Sequence, residues 1–531
     1  MKVLVTRAMV LLWGIRRTPP RLKNPLRLLV EGSAVSDISN LTPDDFSIAR
    51  NKTASIPAPG GEPVIGVLDT PFDDRVYFAD WVEACDLIPS EITIDASEKR
   101  HGTAVSSIIV DGPSIVPELD DGCGRFRVRH FGVATGRRSS AFSFMRNVRD
   151  IVEQNRDIKV WNISQGSVRE IARNFMSPEG ATLDELQSRF DDIVFVVAGT
   201  NQTKAGQEKI GAPADSINSL VVNATSFCGK TASYARQGPV LDFFKKPDVC
   251  AIGGDSDKRM PVCTATGQYL MAGTSFAAPW IARKMAYLMQ VMGLTREVAK
   301  ALIIDSAAGW DYRASPRRGY GQVPVRIEDV VQSCDDEIKF TLTGTSEAYA
   351  TYNYGIPVPI AKKKHPYIAR VTLCYFPQCD RRQGVDYTSA EMDLHFGRIN
   401  DKGTIQPLDN NRQGEEGFMT TEEVARKNYR KWDNVKHIGE EPKENGRERK
   451  AYSTGMWGIK IRATGRGDGP DRKARALRFG VVVTLREING VNRIDDFIQR
   501  CSLRGWIVNR IDVRTSVDIY SAAEVDIDFD E

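Results

Sequence analysis

The feature that most constrains this chain of 531 residues is a short turn of small residues that runs directly into a helical pattern. The turn reads Gly-Thr-Ser-Phe-Ala-Ala-Pro over 273–279, and good helix formers follow it. The first N–H groups of a helix have no partner within the helix, and the helix dipole is positive at that end, so a nearby anion is favoured there. Ser275 in such a turn therefore suits a nucleophile whose reaction builds an oxyanion beside it.

A histidine and an aspartate occur upstream in equally specific surroundings. His101 is predicted to lie where a loop enters an apolar helix, and the apolar run 63–68 is predicted to be a buried parallel strand that ends in Asp69. In an Asp-His-Ser arrangement the acid fixes the imidazole tautomer, and the imidazole takes the serine proton and later delivers it to the leaving amine. Each residue alone is more often structural, as a turn, a cap or a packed histidine, but the three settings together favour catalysis.

These segments resemble the subtilisin-like serine peptidases, or subtilases. That family shows Asp-Thr/Ser-Gly, His-Gly-Thr-x-Val and Gly-Thr-Ser-Met/Phe-Ala-x-Pro in this order, and the chain carries close versions of all three. Segment 160–167 resembles the family's substrate-lining strand, and segment 196–201 resembles the strand end whose asparagine completes the oxyanion hole. The resemblance covers about 61–332 and implies catalytic roles for Asp69, His101 and Ser275, an oxyanion-hole role for Asn201, and substrate binding by Ser164, Gln165 and Gly166.

The chain departs from the family pattern at two positions. Pro71 replaces the glycine after Asp69-Thr70, and Thr200 replaces the glycine that usually precedes the oxyanion asparagine. Proline fixes φ and removes a donor, so we expect the turn after Asp69 to differ in shape. Neither change removes a catalytic group, and both bear on substrate geometry.

The order of the patterns predicts an α/β fold, a subtilisin-like parallel sheet flanked by helices, followed by a mostly antiparallel β-sandwich. Apolar strand-like runs alternate with helical ones up to about 332, and short runs of period two follow. We expect a partly disordered N-terminal extension over 1–60, a catalytic domain over 61–334 and a β-rich domain over 335–531. The charged stretch 400–450 is interpreted as a solvated insertion with one short helix, and a docking surface for a partner is the alternative.

Composition limits the partners and the compartment. The formal net charge is +3 from 72 basic and 69 acidic residues, which favours neither nucleic acid nor a membrane as a partner. Nine cysteines without a tight spacing framework are typical of a reducing compartment, and we expect a cytoplasmic protein. The resemblance implies no redox or nucleotide cofactor. Structural calcium is common in the family, but the sequence assigns no metal ligands.

The sequence thus predicts a regulated intracellular serine endopeptidase that acts on protein or peptide substrates. The alternative is a conditionally inactive protease, or a pseudo-protease, whose C-terminal β-module binds a protein partner. The layout also resembles bacterial intracellular two-domain subtilases proposed to act in phage defence, which implies an ATPase encoded nearby as a further partner.

Overall fold

The structure, a computed structural model, describes the chain in ten ranges, and most of the predicted N-terminal extension lies outside them. The ranges are 8–12, 56–89, 91–135, 141–203, 206–313, 315–346, 351–408, 421–442, 446–466 and 477–511. The first strand, Ala8–Leu12 (β1), belongs to a sheet of the C-terminal region.

A parallel sheet of seven strands forms the centre of the predicted catalytic domain, 61–334, called the catalytic region below. Its strands are Val64–Asp69 (β2), Val82–Asp86 (β3), Arg127–Gly132 (β4), Val160–Ile163 (β5), Val194–Ala198 (β6), Leu220–Thr225 (β7) and Val249–Ile252 (β8). They lie side by side in the order β3-β4-β2-β5-β6-β7-β8. Alternate residues of β6 enter two separate apolar cores, so both faces of the sheet are covered, as its unbroken apolar strands predict.

Six helices and a hairpin accompany this sheet among the described residues. The helices are Ala96–Ile115 (α1), Ala141–Gln154 (α2), Pro178–Arg189 (α3), Ala278–Ala286 (α4), Arg296–Ala308 (α5) and Ile327–Val331 (α6). The hairpin consists of Met260–Thr264 (β9) and Gly267–Met271 (β10) and leads directly to the turn that carries Ser275.

The C-terminal region is a β-sandwich, as predicted, with one short helix between its strands and one near its end. Its elements are Glu337–Ser346 (β11), Thr351–Ile356 (β12), Lys364–His365 (β13), Tyr367–Tyr375 (β14), Ala390–Ile399 (β15), Ile405–Pro407 (β16), Glu422–Tyr429 (α7), Val435–Gly439 (β17), Arg449–Lys450 (β18), Trp457–Gly465 (β19), Leu477–Glu487 (β20), Ile494–Leu503 (α8) and Ile507–Ile511 (β21). One sheet has the order β17-β14-β20-β11-β1-β21, and the other has the order β12-β19-β15-β16. Buried residues of both sheets, such as Phe340, Val483, Phe396 and Ile461, share one core.

Strand β1 was not predicted as part of this sandwich. It pairs antiparallel with β11, with Met9 opposite Leu342, and parallel with β21, with Ala8 opposite Ile507. The N-terminal segment therefore completes a sheet whose other strands lie more than 300 residues later in the chain.

The sandwich packs directly against the catalytic region along α5. Gly480 of β20 approaches the helix so closely that a Cβ atom there would lie 2.5 Å from the Val298 nitrogen. Further along α5, the buried Asp305 carboxylate accepts hydrogen bonds from Arg370 Nε at 3.1 Å, Thr372 Oγ1 at 3.3 Å and Thr484 Oγ1 at 3.2 Å. A buried carboxylate is stable only with such partners, so these contacts fix how the two units sit together.

The stretch 400–450 is only partly what the sequence predicts. It does contain one short helix, α7, but Trp432 is buried in a core of the catalytic region. The Asn434 amide donates to Ile217 O at 3.2 Å and to Asn218 Oδ1 at 3.1 Å, and β17 is paired with β14. The solvated-insertion interpretation is therefore wrong for 432–438, because the apolar body of Trp432 outweighs the charges around it.

None of the helices in the described ranges has both the length and the apolar character needed to cross a bilayer.

Candidate active site

The predicted site residues meet at the carboxyl edge of the parallel sheet. Asp69 is the last residue of β2, Ser164 directly follows β5, and Asn201 lies three residues after β6. Because parallel strands end at the same edge, their loops converge there, and this is where open α/β sheets bind ligands. His101 and Ser275 reach the same edge from α1 and from the turn before α4.

The Asp69 carboxylate is fully buried and accepts three hydrogen bonds on one oxygen. Oδ1 accepts from the Thr70 backbone N–H at 2.6 Å, from His101 Nδ1 at 2.7 Å and from Gln165 Nε2 at 2.9 Å. A carboxylate can only accept, so Nδ1 of His101 carries the proton and Nε2 faces away from the acid. This is the tautomer that a general base needs.

His101 lies in the second turn of α1, and the prediction that it sits at the helix entry is wrong. The helix begins five residues earlier because a capping box at Asp95 starts it, in which the Asp95 backbone N–H donates to the Glu98 carboxylate at 3.1 Å. Gly102 lets this helix approach β2, since a Cβ atom there would lie 2.1 Å from the Thr70 carbonyl oxygen. The glycine of the His-Gly pair thus has a steric reason.

Asp69 and His101 each stabilise the charged form of the other. Burial disfavours charge on His101, but the charge and hydrogen bond of Asp69 outweigh it, and the pKa of His101 is raised above its ordinary value. Burial would likewise raise the pKa of Asp69, but His101 and the Thr70 N–H outweigh it and lower that pKa. The carboxylate therefore stays ionised and stabilises an imidazolium beside it.

Ser275 lies in the 3₁₀ turn Thr274–Phe276 that leads into α4, and it is 8% exposed. Its hydroxyl donates to the Ser164 carbonyl oxygen at 3.0 Å, and the Ser164 hydroxyl donates to the Ser275 carbonyl oxygen at 3.1 Å. The His101 ring lies next to this turn, with its centroid 5.7 Å from that of Phe276. The structure thus brings Ser275 into the same site, with its proton directed at Ser164 and not at His101.

Asn201 is fixed by the turn that carries the serine. Its Oδ1 accepts from the Thr274 N–H at 3.0 Å and from the Thr274 hydroxyl at 2.9 Å. These bonds identify the oxygen of the amide, so its NH₂ is the other end, close to Gly273. The side chain predicted for the oxyanion hole therefore adjoins Ser275 and presents a donor.

The two departures from the family pattern have different structural outcomes. The turn after Asp69, which contains Pro71, is held by two hydrogen bonds of Thr70: its hydroxyl accepts from the Gly102 N–H at 2.9 Å, and its carbonyl accepts from His130 Nε2 at 2.7 Å.

Thr200 adopts φ +69°, in the left-handed region that favours glycine, and its hydroxyl accepts from the Gly211 N–H at 3.0 Å. The threonine therefore occupies the glycine conformation and adds a side chain.

Two contributions to the site were missed from the sequence. His130 is buried in β4, its Nδ1 accepts from the Ser106 hydroxyl at 3.0 Å, and burial lowers its pKa, so it is neutral and supports the Thr70 turn. Gln165 was predicted only as part of a substrate-lining segment, whereas its side chain contacts Asp69. Neither residue lies in a pattern that signals its partner.

The structure describes all nine cysteines, and none of them is joined to another in a disulfide. Among the residues that the structure describes, no group of three or more His, Cys, Asp or Glu side chains is placed to hold a metal ion.

Comparisons with known proteins agree with the motifs. The model of the subtilase family of peptidases matches residues 60–325, which is half of the chain. Solved structures that resemble the chain include a mutant of the protease domain of PatA, at 20% identity and TM-score 0.39, covering 50% of this chain and 92% of that one. They also include the prenylagaramide maturation protease PagA, at 20% identity and TM-score 0.38, with coverages of 50% and 92%.

A third similar structure is the epidermin leader peptide processing serine protease EpiP from Staphylococcus aureus. It is 16% identical, with TM-score 0.41, and the match covers 51% of this chain and 76% of that one. No curated protein matches the chain. The family match over half of the chain shows that this protein belongs to the subtilase family and is a serine peptidase, whose substrates are proteins or peptides.

Proposed function

We propose that this chain is a serine endopeptidase that uses Asp69, His101 and Ser275 as its catalytic triad. The observation that carries the proposal is the bond of 2.7 Å between His101 Nδ1 and the buried Asp69 carboxylate, beside the turn that holds Ser275. That bond leaves His101 Nε2 as the basic nitrogen on the side away from the acid. Keeping the buried Asp69 carboxylate ionised is costly, and its bond to His101 is one of the contacts that offset this cost.

The reaction follows from these positions. Ser275 Oγ attacks the scissile carbonyl carbon while His101 Nε2 takes its proton, and the Asp69 carboxylate stabilises the resulting imidazolium. The carbonyl oxygen becomes an oxyanion held by the Asn201 NH₂ and the Ser275 N–H. His101 then protonates the leaving amine, and water attacks the acyl-enzyme by the same steps in reverse order.

The backbone of Ser164, Gln165 and Gly166 is proposed to bind the substrate as an added strand. This segment continues β5 past the sheet edge and contacts Ser275 through both of its Ser164 hydrogen bonds. An extended peptide that pairs with it would pass directly over the nucleophile.

A second candidate function is a conditionally inactive protease whose C-terminal β-module binds a protein partner. The observation that favours it is the Ser275 hydroxyl, which donates to Ser164 O and must turn toward His101 before it can react. In this version the partner, with an ATPase encoded nearby as one candidate, triggers that rotation in the cytoplasm. A role of this protein in phage defence is part of the same proposal.

Labelling with a fluorophosphonate probe tests both versions. We expect the wild type to be labelled and Ser275→Ala and His101→Ala to be unlabelled, while Ser188→Ala at the end of α3 is labelled like the wild type. A folded wild type that stays unlabelled would contradict an active triad in the free protein. Labelling that appears only after lysate or a neighbouring-gene product is added would then support the conditional version, and its absence would contradict both.

A further inference from the structure

Two chain segments enclose Ser275 at the edge of the parallel sheet. Strands β5 and β6 are adjacent and parallel, with Ile163 opposite Val197, and they continue as 164–166 and 199–201. The first segment is bonded to Ser275 through Ser164, and the second is bonded to Thr274 through Asn201. The nucleophile therefore lies between the ends of two neighbouring strands.

This arrangement decides where one substrate side chain must go. The attacked carbonyl carbon has to lie next to Ser275 Oγ, in position for attack, and the carbonyl oxygen has to face the Asn201 amide. If the peptide also pairs with segment 164–166, the residue that carries this carbonyl has its Cα atom between the two segments. Its side chain then points into the gap between 164–166 and 199–201.

Thr200 occupies that gap. Its methyl group lies so close to the opposite segment that a Cβ atom on Gly166 would be 2.6 Å from Thr200 Cγ2. The hydrogen bond from the Gly211 N–H to its hydroxyl, at 3.0 Å, fixes the side chain in this rotamer, and only 5% of the residue is exposed. A glycine with the same backbone would leave the space between the segments open.

The backbone conformation of Thr200 favours a functional role for this contact. A non-glycine residue at φ +69° is strained, and such strain persists only where the surroundings impose it. Here the hydroxyl bond to Gly211 and the methyl contact with Gly166 are those surroundings.

We propose that Thr200 determines substrate specificity: its methyl group closes the gap and restricts the residue immediately before the scissile bond to glycine, alanine or serine. The inference rests on the proposed endopeptidase function, and it adds the class of peptide that this site accepts. Larger residues such as leucine and phenylalanine would have to displace a side chain that is anchored at one end and packed at the other.

The test is a cleavage-site profile on a proteome-derived peptide library, which offers every side chain in many contexts. The wild type is compared with Thr200→Ser, which deletes only the methyl group and keeps the hydroxyl that bonds Gly211. Thr200→Val keeps a methyl and loses the hydroxyl, and Thr200→Gly removes both. Fluorophosphonate labelling of each variant shows that its Ser275 site is formed.

We expect the wild type to cleave after small residues, with kcat/KM for alanine over phenylalanine of about 100-fold or more, on the scale of steric discrimination in enzyme pockets. Thr200→Ser and Thr200→Gly should lower this ratio at least about 10-fold, whereas Thr200→Val should preserve it. Cleavage by Thr200→Gly alone would overturn the assigned class of small residues, because the wild type would then accept none of them.

Other outcomes separate the two proposals. A wild type that cleaves after phenylalanine as readily as after alanine would overturn the specificity role and leave the endopeptidase function standing. An unchanged profile in labelled Thr200→Ser and Thr200→Gly would also overturn it. If no variant cleaves any peptide or reacts with the probe, even after lysate or a neighbouring-gene product is added, the endopeptidase function itself is wrong, and the specificity role falls with it.

Discussion

The side-chain amide of Gln165 donates to Asp69 Oδ1 at 2.9 Å, on the same oxygen that accepts from His101. The amide therefore shares the negative charge that raises the pKa of His101. Gln165 belongs to a segment expected to bind substrate through its backbone, so one segment contacts both Asp69, the proposed acid of the triad, and, through Ser164, the proposed nucleophile Ser275. We regard Gln165 as a positioning residue.

Gln165→Leu should shift the acidic limb of the pH profile of kcat/KM toward higher pH. Without the amide donor, Asp69 attracts the imidazolium more strongly, and one lost hydrogen bond corresponds to roughly half a pH unit. Gln165→Glu should shift the limb further because it adds negative charge. A lower kcat with an unmoved limb in both variants would indicate a merely structural role.

Stability should depend on pH in the opposite sense to activity. The pKa of His101 is raised in the folded state, so protonated His101 stabilises the fold below the unfolded pKa, about 6.5, and this contribution is lost as pH rises through the folded value. Activity needs the neutral imidazole and appears over that same range. Urea unfolding of wild type and His101→Gln from pH 5 to 9 should show a difference that shrinks with pH, and a difference that grows would contradict the assigned direction.

Asn201→Asp should lower kcat by about 10²–10³, the range for loss of one oxyanion-hole donor. The carboxylate keeps both hydrogen bonds that Oδ1 accepts from Thr274, at 3.0 and 2.9 Å, but it cannot donate. Steady-state kinetics on one peptide measures the loss, and KM should change little. A kcat within threefold of the wild type would show that Asn201 does not face the oxyanion.

Gly102→Ala should destabilise the fold by about 1–3 kcal/mol and lower kcat/KM. The added methyl would lie 2.1 Å from the Thr70 carbonyl oxygen, so α1 must move away from β2. This movement would separate His101 from Asp69. The matched control is Gly61→Ala, where a Cβ atom meets nothing within 4 Å and we expect a change of less than about 0.5 kcal/mol. Equal denaturation midpoints for the two variants would contradict the steric argument.

Arg370→Ala should destabilise the fold by about 3–5 kcal/mol, because it leaves the Asp305 carboxylate, 1% exposed, without its cation. The double variant Asp305→Leu with Arg370→Met should lose less than Arg370→Ala, since no charge stays buried. Denaturation measures the free energies, and limited proteolysis measures whether the sandwich detaches. A double variant that loses as much stability as Arg370→Ala, or more, would show that the uncompensated charge of Asp305 is not the cause of the loss.

The site could be predicted further than the fold around it. Asp69, His101 and Ser275 are brought to one place because each lies in a motif whose neighbours fix the local backbone: an apolar strand, a glycine that permits close approach, and a turn of small residues. The contact of Gln165 with Asp69 could not be predicted, because the direction of a loop side chain depends on the path of the loop. The same holds for Thr200, whose rotamer is fixed by Gly211, eleven residues further along the chain.

Burial was the harder property to predict in the C-terminal region. Trp432 follows Arg430 and Lys431, which are typical of a solvated surface, yet the Arg466 guanidinium lies 3.5 Å from the centre of its ring and covers it.

The start of helix α1 was also hard to predict. The apolar pattern begins only after His101, whereas the helix start is determined by the polar capping box at Asp95.

The position of β1 has a consequence for the order in which the molecule is assembled during translation. Among the described strands, β1 is translated before the others, but its neighbours β11 and β21 pair with it at Leu342 and Ile507. The strands of the catalytic sheet, from Val64 to Ile252, are all translated before either neighbour of β1, so β1 can be paired only after the residues of that sheet have been made. Until β11 has been translated, β1 has neither of its partner strands in the sandwich.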